Sequence, residues 1–540
     1  MTAFALLAVI AAPQSSDTVA IRPNVLFVIS DDQSYPHASA YGCKWVSTPG
    51  FDRVASSGVL FHNAFAPTPG CSPTRACVLT GRHAWRNREA GTHASSFPAD
   101  LKTFPDLLES SGYHVGYTGK GWSPGNSRVS GRNRNPAGTG FNKAKKKPAV
   151  RGIAANDYAT NFDQFLQQRE DRKPFCFWFG AHEPHRGFEQ INPAEIDEST
   201  LNAVKVPPYL PDVPEVRADL LAYAREVEWF DSHLVRMLDR LQELDELENT
   251  LVIVTSDNGM SFPRAKANLY EDGIHMPLAI SWPKRVDGPR SVNDLVNLVD
   301  IMPTIAEATG LVVAPKEVDG RSLLPVLFSG KSGLVDSDRS AVFAARERHS
   351  SSRYHSLGYP QRAIRTQQFL YIRNYTPERW PAGAPQTFVR GYYPTGRDVV
   401  AGKLGPEHAA YHDIDGCPTL TLMTKRREET EMARCLAMAV DRRPAEELFD
   451  IRSDPACMKN LASVEKFDAV RLRLAAQLTT KLKSTEDPRE NGSGHVFETY
   501  PRYSDIRAFP KPEWARSHPE RVPKQPWWEK RVQAKAKAKQ

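Results

Sequence analysis

One cysteine in this chain lies within a specific set of residues. Cys71 opens the run Cys71-Ser-Pro-Thr-Arg75, and Thr80-Gly81-Arg82 follows it. A free cysteine is most often a buried and inert side chain. Pro73 and Thr74, however, predict that a helix begins here, and the positive end of a helix favours an anion. The ordered motif favours chemistry at position 71 over the inert alternative.

Two pairs of polar residues directly follow predicted buried strands. Asp31 and Asp32 come after the first apolar run of the chain, and Asp257 and Asn258 come after a later one. Such residues are often turn or cap residues. In open α/β sheets, however, ligands bind outside the carboxyl ends of the strands, and oxygen donors suit hard cations. The two pairs predict a site for Ca2+, with Mg2+ as the alternative.

Three more side chains could act on an anion. Lys120 follows the segment 112–118, and His182 follows the apolar run 174–179. A lysine at a strand end can bind an anion as a point charge, and Lys266 is a second candidate. A histidine at a strand end can be a general acid or base. A solvated lysine and a structural histidine are the ordinary alternatives.

Predicted strands and helices alternate along the first part of the chain. Continuous apolar runs indicate strands buried on both faces, as in a parallel sheet. These strands cover residues 24–29, 174–179, 250–255 and 277–282. Helical spacing of apolar residues predicts helices over 103–111, 216–247 and 293–309. The alternation predicts an α/β fold in which helices cover both faces of a mostly parallel sheet.

The pattern changes around residue 335, where a smaller α+β region with its own antiparallel sheet is expected. Its predicted strands cover 341–345 and 369–373, and its amphipathic helix covers 467–482. We predict four segments: a signal peptide or disordered start over 1–20, a catalytic domain over 21–335, a smaller C-terminal domain over 336–490 and an extended basic tail over 491–540.

Charge and composition limit the partners. The formal net charge of +7 suits an anionic substrate, and no nucleic-acid motif is present. Residues 4–12 resemble the apolar core of a secretory signal without the usual leading cation, which predicts a periplasmic or secreted protein. No other apolar run reaches the length of a membrane span. The 7 cysteines show no zinc-type spacing, and those other than Cys71 permit disulfides.

Together these motifs resemble those of the type I sulfatases, the formylglycine-dependent enzymes of the alkaline phosphatase superfamily. The segments that carry the resemblance are Asn24–Asp32, the Cys71 run, Gly112–Lys120, Phe175–His182 and Thr250–Gly259. The resemblance implies an alkaline-phosphatase-like fold, a sulfated saccharide as substrate and oxidation of Cys71 to formylglycine by a maturation enzyme. Within the family, segments such as 173–186 and 206–220 are most similar to bacterial enzymes like heparan N-sulfatase (sulfamidase).

The resemblance also implies a role for each candidate residue. Arg75 would stabilise the hydrated aldehyde, Lys120 and Lys266 would contact the sulfate, and His182 would protonate the leaving group. The implied ligands of Ca2+ are Asp31, Asp32, Asp257, Asn258 and the formylglycine at position 71.

Two positions depart from the family's pattern. Most sulfatases have Gly-Lys-x-His, whereas this chain has Gly119-Lys120-Gly-Trp122, so the histidine that helps to release sulfate is absent. His93 and His185 are candidates to replace it. Lys266 stands where sulfamidases have arginine, which leaves an N-linked or an O-linked sulfate open.

A basic cluster lies near the start of the second part and consists of Arg346, Arg348, His349, Arg353 and Arg362. Because arginine pairs well with sulfate and carboxylate oxygens, we predict that this cluster lines a glycan pocket. His185, Arg348, His349 and Arg353 are the predicted substrate-binding residues. A solvated basic face is the alternative.

Two other functions fit the same motifs. A formylglycine-dependent phosphonate or phosphodiester hydrolase of the superfamily would need similar residues, since phosphate and sulfate differ mainly in charge. An unmatured, non-catalytic glycan-binding relative would explain the tryptophan at position 122.

Overall fold

The computed structural model describes residues 22–148, 150–389, 392–393 and 403–523. The predicted signal segment 1–20 and the final part of the predicted tail, 524–540, lie outside these residues. Among the helices of the described part, none combines the length and apolar composition needed to cross a membrane.

The larger sheet is mostly parallel. Its strands are β1 (Asn24–Ser30), β2 (Val59–Phe65), β3 (His114–Gly119), β4 (Thr139–Gly140), β5 (Phe175–Gly180), β6 (Thr250–Ser256), β7 (His275–Ser281), β8 (Arg290–Val292) and β9 (Val296–Asn297). They lie in the order β4-β3-β5-β1-β6-β7-β2-β8, and β9 pairs with β2. Strand β7 is antiparallel to both of its neighbours, and every other pair is parallel.

Helices cover both faces of this sheet. They are α1 (Pro49–Ser56), α2 (Cys71–Thr80), α3 (Phe104–Ser110), α4 (Tyr158–Gln167), α5 (Glu198–Ala203), α6 (Pro214–Glu243), α7 (Glu271–Ile274), α8 (Ile301–Thr309) and α9 (Leu324–Leu327). Along β1, Val25, Phe27 and Ile29 enter one core, with residues of α2, α3 and α8. Leu26 and Val28 enter a second core, with residues of α1, α4 and α6. The continuous apolar sequence of β1 follows from this double burial.

One predicted helix is shorter than expected. The helix predicted over 293–309 begins only at Ile301 and ends, as predicted, at Thr309; the next residue, Gly310, has a φ of 75° in the left-handed region. Val296 and Asn297 instead pair with β2, and the Asn297 side chain caps the short turn that follows. Pairing with the sheet edge therefore outweighs helical periodicity in this segment.

The second part contains a separate antiparallel sheet, as predicted. Its four strands lie in the order β10 (Ala341–Arg346), β11 (Gln361–Thr366), β12 (Phe369–Asn374) and β14 (Glu446–Asp450). A further two-stranded sheet is formed by β13 (Tyr392–Tyr393) and β15 (Ile506–Arg507). Its helices are α10 (Pro418–Lys425), α11 (Thr430–Val440), α12 (Asp468–Ser484), α13 (Val496–Thr499) and α14 (Glu513–Ser517). Leu474, Leu478 and Leu482 of α12 pack against this sheet. The predicted combination of a mostly parallel sheet between helices and a smaller antiparallel sheet is confirmed.

Candidate active site

Neighbouring parallel strands end together at one edge of the larger sheet. Strands β3, β5, β1 and β6 lie side by side, and their last residues stay in register. Each strand is followed within two residues by predicted site residues, which are Lys120, His182, the pair Asp31–Asp32 and the pair Asp257–Asn258. The parallel arrangement thus brings together side chains that are far apart in the sequence.

Cys71 is the first residue of α2, at the same edge. Its side chain is only 1% exposed, and its Sγ lies 4.0 Å from Asp32 Oδ1. Burial, with the Asp31 carboxylate beside it, raises the pKa of the Cys71 thiol well above its usual value. Because the thiolate is the reactive form, the unmodified cysteine is a poor nucleophile at neutral pH.

Arg75 lies one turn further along α2 and is fully buried. Its Nε donates to Asp257 Oδ2 at 2.7 Å, and its Nη1 donates to the carbonyl oxygen of Lys120 at 2.6 Å. Its Nη2 has no hydrogen-bond partner in the described part of the chain. A buried guanidinium group with an unused donor is suited to a ligand oxygen.

Two lysines lie against the strand-end carboxylates. Lys120 Nζ lies 2.5 Å from Asp31 Oδ2, and Lys266 Nζ lies 2.6 Å from Asp32 Oδ2 and 2.8 Å from Asp415 Oδ2. Burial alone would lower the pKa of both amines, but the adjacent carboxylates outweigh it and raise the pKa of each. Both side chains therefore carry a positive charge.

The carboxylates have donor atoms suited to a cation. Ligand atoms of Asp31, Cys71 and Asp257 lie within 4.8 Å of one another, and Asp31 Oδ1 and Asn258 Oδ1 are buried with no hydrogen-bond partner in the described residues. Burial raises the pKa of Asp257 to about 6, and it also raises the pKa of Asp32. A hard divalent cation would offset this cost of burying negative charge, so the residues present fit Ca2+ or Mg2+.

Two histidines lie on the solvent side of this cluster. His182 is exposed, and its backbone N–H donates to the Tyr158 hydroxyl at 3.1 Å. His185 Nε2 lies 4.0 Å from Asp32 Oδ2, and its side chain is 39% exposed. Both rings can therefore meet a substrate that enters from solvent.

The basic cluster is buried and forms ion pairs. Arg346 Nη2 and Arg353 Nη2 contact the same oxygen of Asp413, at 2.6 and 2.7 Å. Arg362 Nε lies 2.5 Å from Asp487 Oδ2. Arg348 donates to the carbonyl oxygen of Tyr500 at 2.9 Å. Because these side chains are buried, they do not form the solvated basic face that was the alternative. A substrate-binding role for Arg348 and Arg353 stays a prediction.

His349, the remaining predicted substrate-binding residue, lies beside the residue that precedes Cys71. A Cβ built on Gly70, the residue before Cys71, would lie 2.9 Å from His349 Nδ1. The His349 ring stacks on His93, with 4.7 Å between ring centroids, and burial lowers the pKa of His349 to about 3. Trp122, at the position of the missing histidine, is buried and packs on Phe97. Burial lowers the pKa of His93 as well. His93 and His349 are therefore two stacked, neutral imidazoles beside α2.

The structure adds residues that the sequence did not indicate. Asp415 precedes α10 and binds Lys266, although its surroundings in the sequence match no motif. Glu183 is buried behind His182 and accepts a hydrogen bond from the Tyr158 hydroxyl at 2.8 Å. Glu183 could have been identified from the sequence, because it is an acidic residue between the predicted site residues His182 and His185. No sequence pattern could have identified Asp415, because only the folding of the chain brings it to Lys266.

The family is established by comparison with known sequences. The family profile described as Sulfatase matches residues 23–311, and the profile described as N-sulphoglucosamine sulphohydrolase, C-terminal matches residues 264–381. The first match covers more than half of the chain. The chain belongs to the sulfatase family. The predicted family and enzyme class are confirmed.

Curated relatives cover most of this sulfatase. Human N-sulphoglucosamine sulphohydrolase is 28% identical, over 86% of this chain and 91% of its own length. An ulvan-active sulfatase of Formosa agariphila is 24% identical, over 88% of this chain and 82% of its own length. An N-acetylglucosamine-6-O-sulfatase of Bacteroides thetaiotaomicron is 26% identical, over 68% and 81%.

Solved structures share the fold at low identity. A structure in complex with its substrate, D-glucosamine-2-N,6-O-disulfate, aligns with a TM-score of 0.55 and 20% identity, over 86% of this chain and 98% of that one. The phosphonate monoester hydrolase of Agrobacterium radiobacter aligns with a TM-score of 0.57 and 18% identity, over 86% and 96%. At such identities the likeness concerns the fold alone.

Proposed function

We propose that this sulfatase removes sulfate from a sulfated saccharide by means of a formylglycine made from Cys71, with Ca2+ bound beside it. The observation that carries the proposal is the setting of Cys71. It is buried at the start of α2, beside the Asp31–Asp32 carboxylates. A raised thiol pKa makes the unmodified side chain unsuited to attack, whereas a formylglycine would supply a hydrated aldehyde whose hydroxyl attacks sulfur.

We propose Asp31, Asp32, Asp257 and Asn258, together with position 71, as the ligands of the cation. The support is an oxygen-rich donor set in which Asp31 Oδ1 and Asn258 Oδ1 are buried and unpartnered among the described residues. Bound Ca2+ would offset negative charge as it develops at position 71 and on the sulfate oxygens.

The chain's own cations complete the site. Arg75 is held by Asp257, and its unpartnered Nη2 is the donor that we propose for stabilising the hydrated aldehyde at position 71. Lys120 and Lys266 remain protonated and bind the sulfate oxygens as fixed charges. Burial, and secondarily Lys120, lowers the pKa of His182 to about 4. The proton that His182 gives to the leaving oxygen or nitrogen is therefore one that the imidazole gains when the anionic sulfate binds beside it. His185, Arg348, His349 and Arg353 are the proposed contacts for the remainder of the saccharide.

Substitution of the nucleophile tests the proposal. Cys71→Ala should lower kcat for a sulfated substrate by at least about a thousandfold, as expected when a nucleophile is removed. Cys77→Ala on the same helix is the matched control, since this buried thiol is not part of the site and its variant should keep activity. Wild-type turnover by Cys71→Ala would refute the role of position 71.

Mass spectrometry of the peptide that contains residue 71 tests maturation separately. Protein produced with a formylglycine-generating enzyme should show the replacement of CH2SH by an aldehyde, and protein without it should show the cysteine and little activity. A matured protein that hydrolyses aryl phosphodiesters faster than aryl sulfates would instead favour the phosphonate or phosphodiester hydrolase.

A further inference from the structure

A cleft with a volume of about 730 Å3 lies beside the candidate site. One wall is the segment that follows His185, and the others are α6 and the stretch from Gly416 to the end of α10. The side chains that matter most for its chemistry are Arg186, Phe188, Glu189, Glu215, Thr421 and Lys425. None of them belongs to the catalytic or metal-binding set proposed above.

Two lining residues of the cleft directly follow residues of the site in the chain. Arg186 directly follows His185, whose Nε2 lies 4.0 Å from Asp32 Oδ2. Gly416, another lining residue, directly follows Asp415, which binds Lys266. A saccharide whose sulfate meets Lys266 would therefore have its neighbouring sugar at the entrance of this cleft.

The side chains at the floor of the cleft are paired with one another. Arg186 donates to both oxygens of Asp219, at 2.5 and 3.0 Å, and its guanidinium group lies 4.3 Å from the ring centroids of Phe188 and Phe262. The Thr419 hydroxyl donates to Asp219 at 2.6 Å, which joins α10 to α6. The cleft is thus formed before any ligand arrives.

Its charge differs from that of the sulfate site. Arg186 is neutralised by Asp219, so the other charged side chains among the described lining residues are Lys425, Glu189 and Glu215, which together carry a net charge of −1. Such a lining does not attract an additional anion. An aromatic ring and a hydroxyl group, from Phe188 and Thr421, suit an uncharged sugar.

We propose that this cleft binds the sugar next to the sulfated residue, and that this second sugar carries neither sulfate nor carboxylate. The inference rests on the proposed function, because it takes the sulfated residue to lie at Lys120 and Lys266. Such a cleft would make the enzyme selective for substrates in which an uncharged sugar is joined to the sulfated one.

Three probes test the specificity: glucosamine-2-N,6-O-disulfate alone, the same sugar joined to glucose, and the same sugar joined to glucuronate. The wild-type enzyme should show kcat/KM at least about tenfold higher for the glucose-linked probe than for the monosaccharide, which corresponds to ~1.4 kcal/mol. Glucuronate should give no such gain. An equal gain with glucuronate, or no gain with glucose, would overturn the proposal.

A variant in which a large side chain blocks the cleft tests the same proposal. Thr421 is an exposed residue of α10, so Thr421→Trp should fill the cleft without disturbing the core. The gain from glucose should disappear while turnover of the monosaccharide stays within about twofold. Thr480→Trp, at an exposed position of α12, is the matched control and should retain the gain. An unchanged gain in Thr421→Trp would also overturn the proposal.

Direct binding separates this inference from the proposed function. If neither the three probes nor an aryl sulfate is hydrolysed, the proposed function fails, and the cleft is then tested with the unsulfated glucosamine–glucose disaccharide by calorimetry. Binding to wild type that is lost in Thr421→Trp and kept in Thr480→Trp supports the cleft as a neutral sugar site. Absence of binding to wild type refutes it.

Discussion

The two buried lysines of the site differ in their partners. Lys120 pairs with one carboxylate, that of Asp31, whereas Lys266 lies between Asp32 and Asp415. Burial opposes ionisation of Asp415, but Lys266 outweighs it and lowers the pKa of Asp415. A buried ion pair holds its geometry best when every charged group has a partner. Asp415 therefore positions the ammonium group that we propose for sulfate binding.

Asp415→Asn should lower kcat/KM for a sulfated substrate by about tenfold to a hundredfold, because a displaced binding group weakens transition-state contacts. The unfolding temperature should change little, because Lys266 keeps its ion pair with Asp32 in this variant. Asp415→Glu, which keeps the charge, should restore part of the activity.

The control for this prediction is Asp212→Asn, which breaks an exposed ion pair with Arg217 away from the site and should leave kcat/KM unchanged. Equal activity of Asp415→Asn and wild type would show that Lys266 needs only Asp32.

At the level of elements, both the strand ends and α6 contribute to the surroundings of the site. Four parallel strands deliver the polar residues, and α6 packs behind the loop that carries His182 and His185. Glu226 of α6 is 2% exposed there, and its Oε1 has no hydrogen-bond partner among the described residues. Burial, and secondarily the Glu183 carboxylate, raises the pKa of Glu226 to about 8.

This raised pKa predicts a pH-dependent stability. The folded protein binds the Glu226 proton more tightly than the unfolded chain does, so the stabilisation is complete below the unfolded pKa of about 4.3 and is lost as the pH rises through about 8. Glu226→Gln should remove this contribution, and the free energy of unfolding should then fall less between pH 5 and pH 8, on the order of 1.4 kcal/mol less for each unit of pKa shift removed.

Urea unfolding at the two pH values measures the effect. Glu243→Gln, a change at an exposed position of the same helix, should keep the pH dependence of wild type. Parallel pH profiles for Glu226→Gln and wild type would contradict the prediction.

At the level of the whole molecule, the two parts share a hydrophobic core. Phe65 and Leu269 from the first part pack in one cluster with Val342, Leu370 and Phe449 from the second. The ion pair of Arg365 with Glu271, at 2.7 Å, crosses the same interface. The boundary at residue 335 stays a prediction, but the shared core indicates that the parts unfold together.

Leu370→Ala in β12 should therefore destabilise the whole protein. The side chain is fully buried at the shared core, and such a substitution usually costs ~2–5 kcal/mol. Calorimetry should show a single unfolding transition at a lower temperature. Leu472→Ala, at a side chain that is 59% exposed, should have little effect. Two separated transitions, with only one of them shifted, would show that the parts unfold independently.

The sequence by itself determined the fold class, the family and the residues at the strand ends. Buried parallel strands require continuous apolar runs, and polar residues directly after such runs can lie only at the sheet edge, so Asp31, Lys120 and Asp257 were identifiable from local patterns. Local patterns failed at residues 293–300, where pairing with β2 replaced part of the predicted helix.

Only the tertiary structure decided which distant residues meet. Asp415 lies 149 positions from Lys266 and is brought to it by the packing of the second part onto the first. The basic cluster, for which a glycan pocket was predicted and a solvated face was the alternative, is buried, and Asp413 and Asp487 pair with its arginines. Burial and ion pairing depend on contacts that no local sequence pattern records, and they determine which charges in this sulfatase stay available for a substrate.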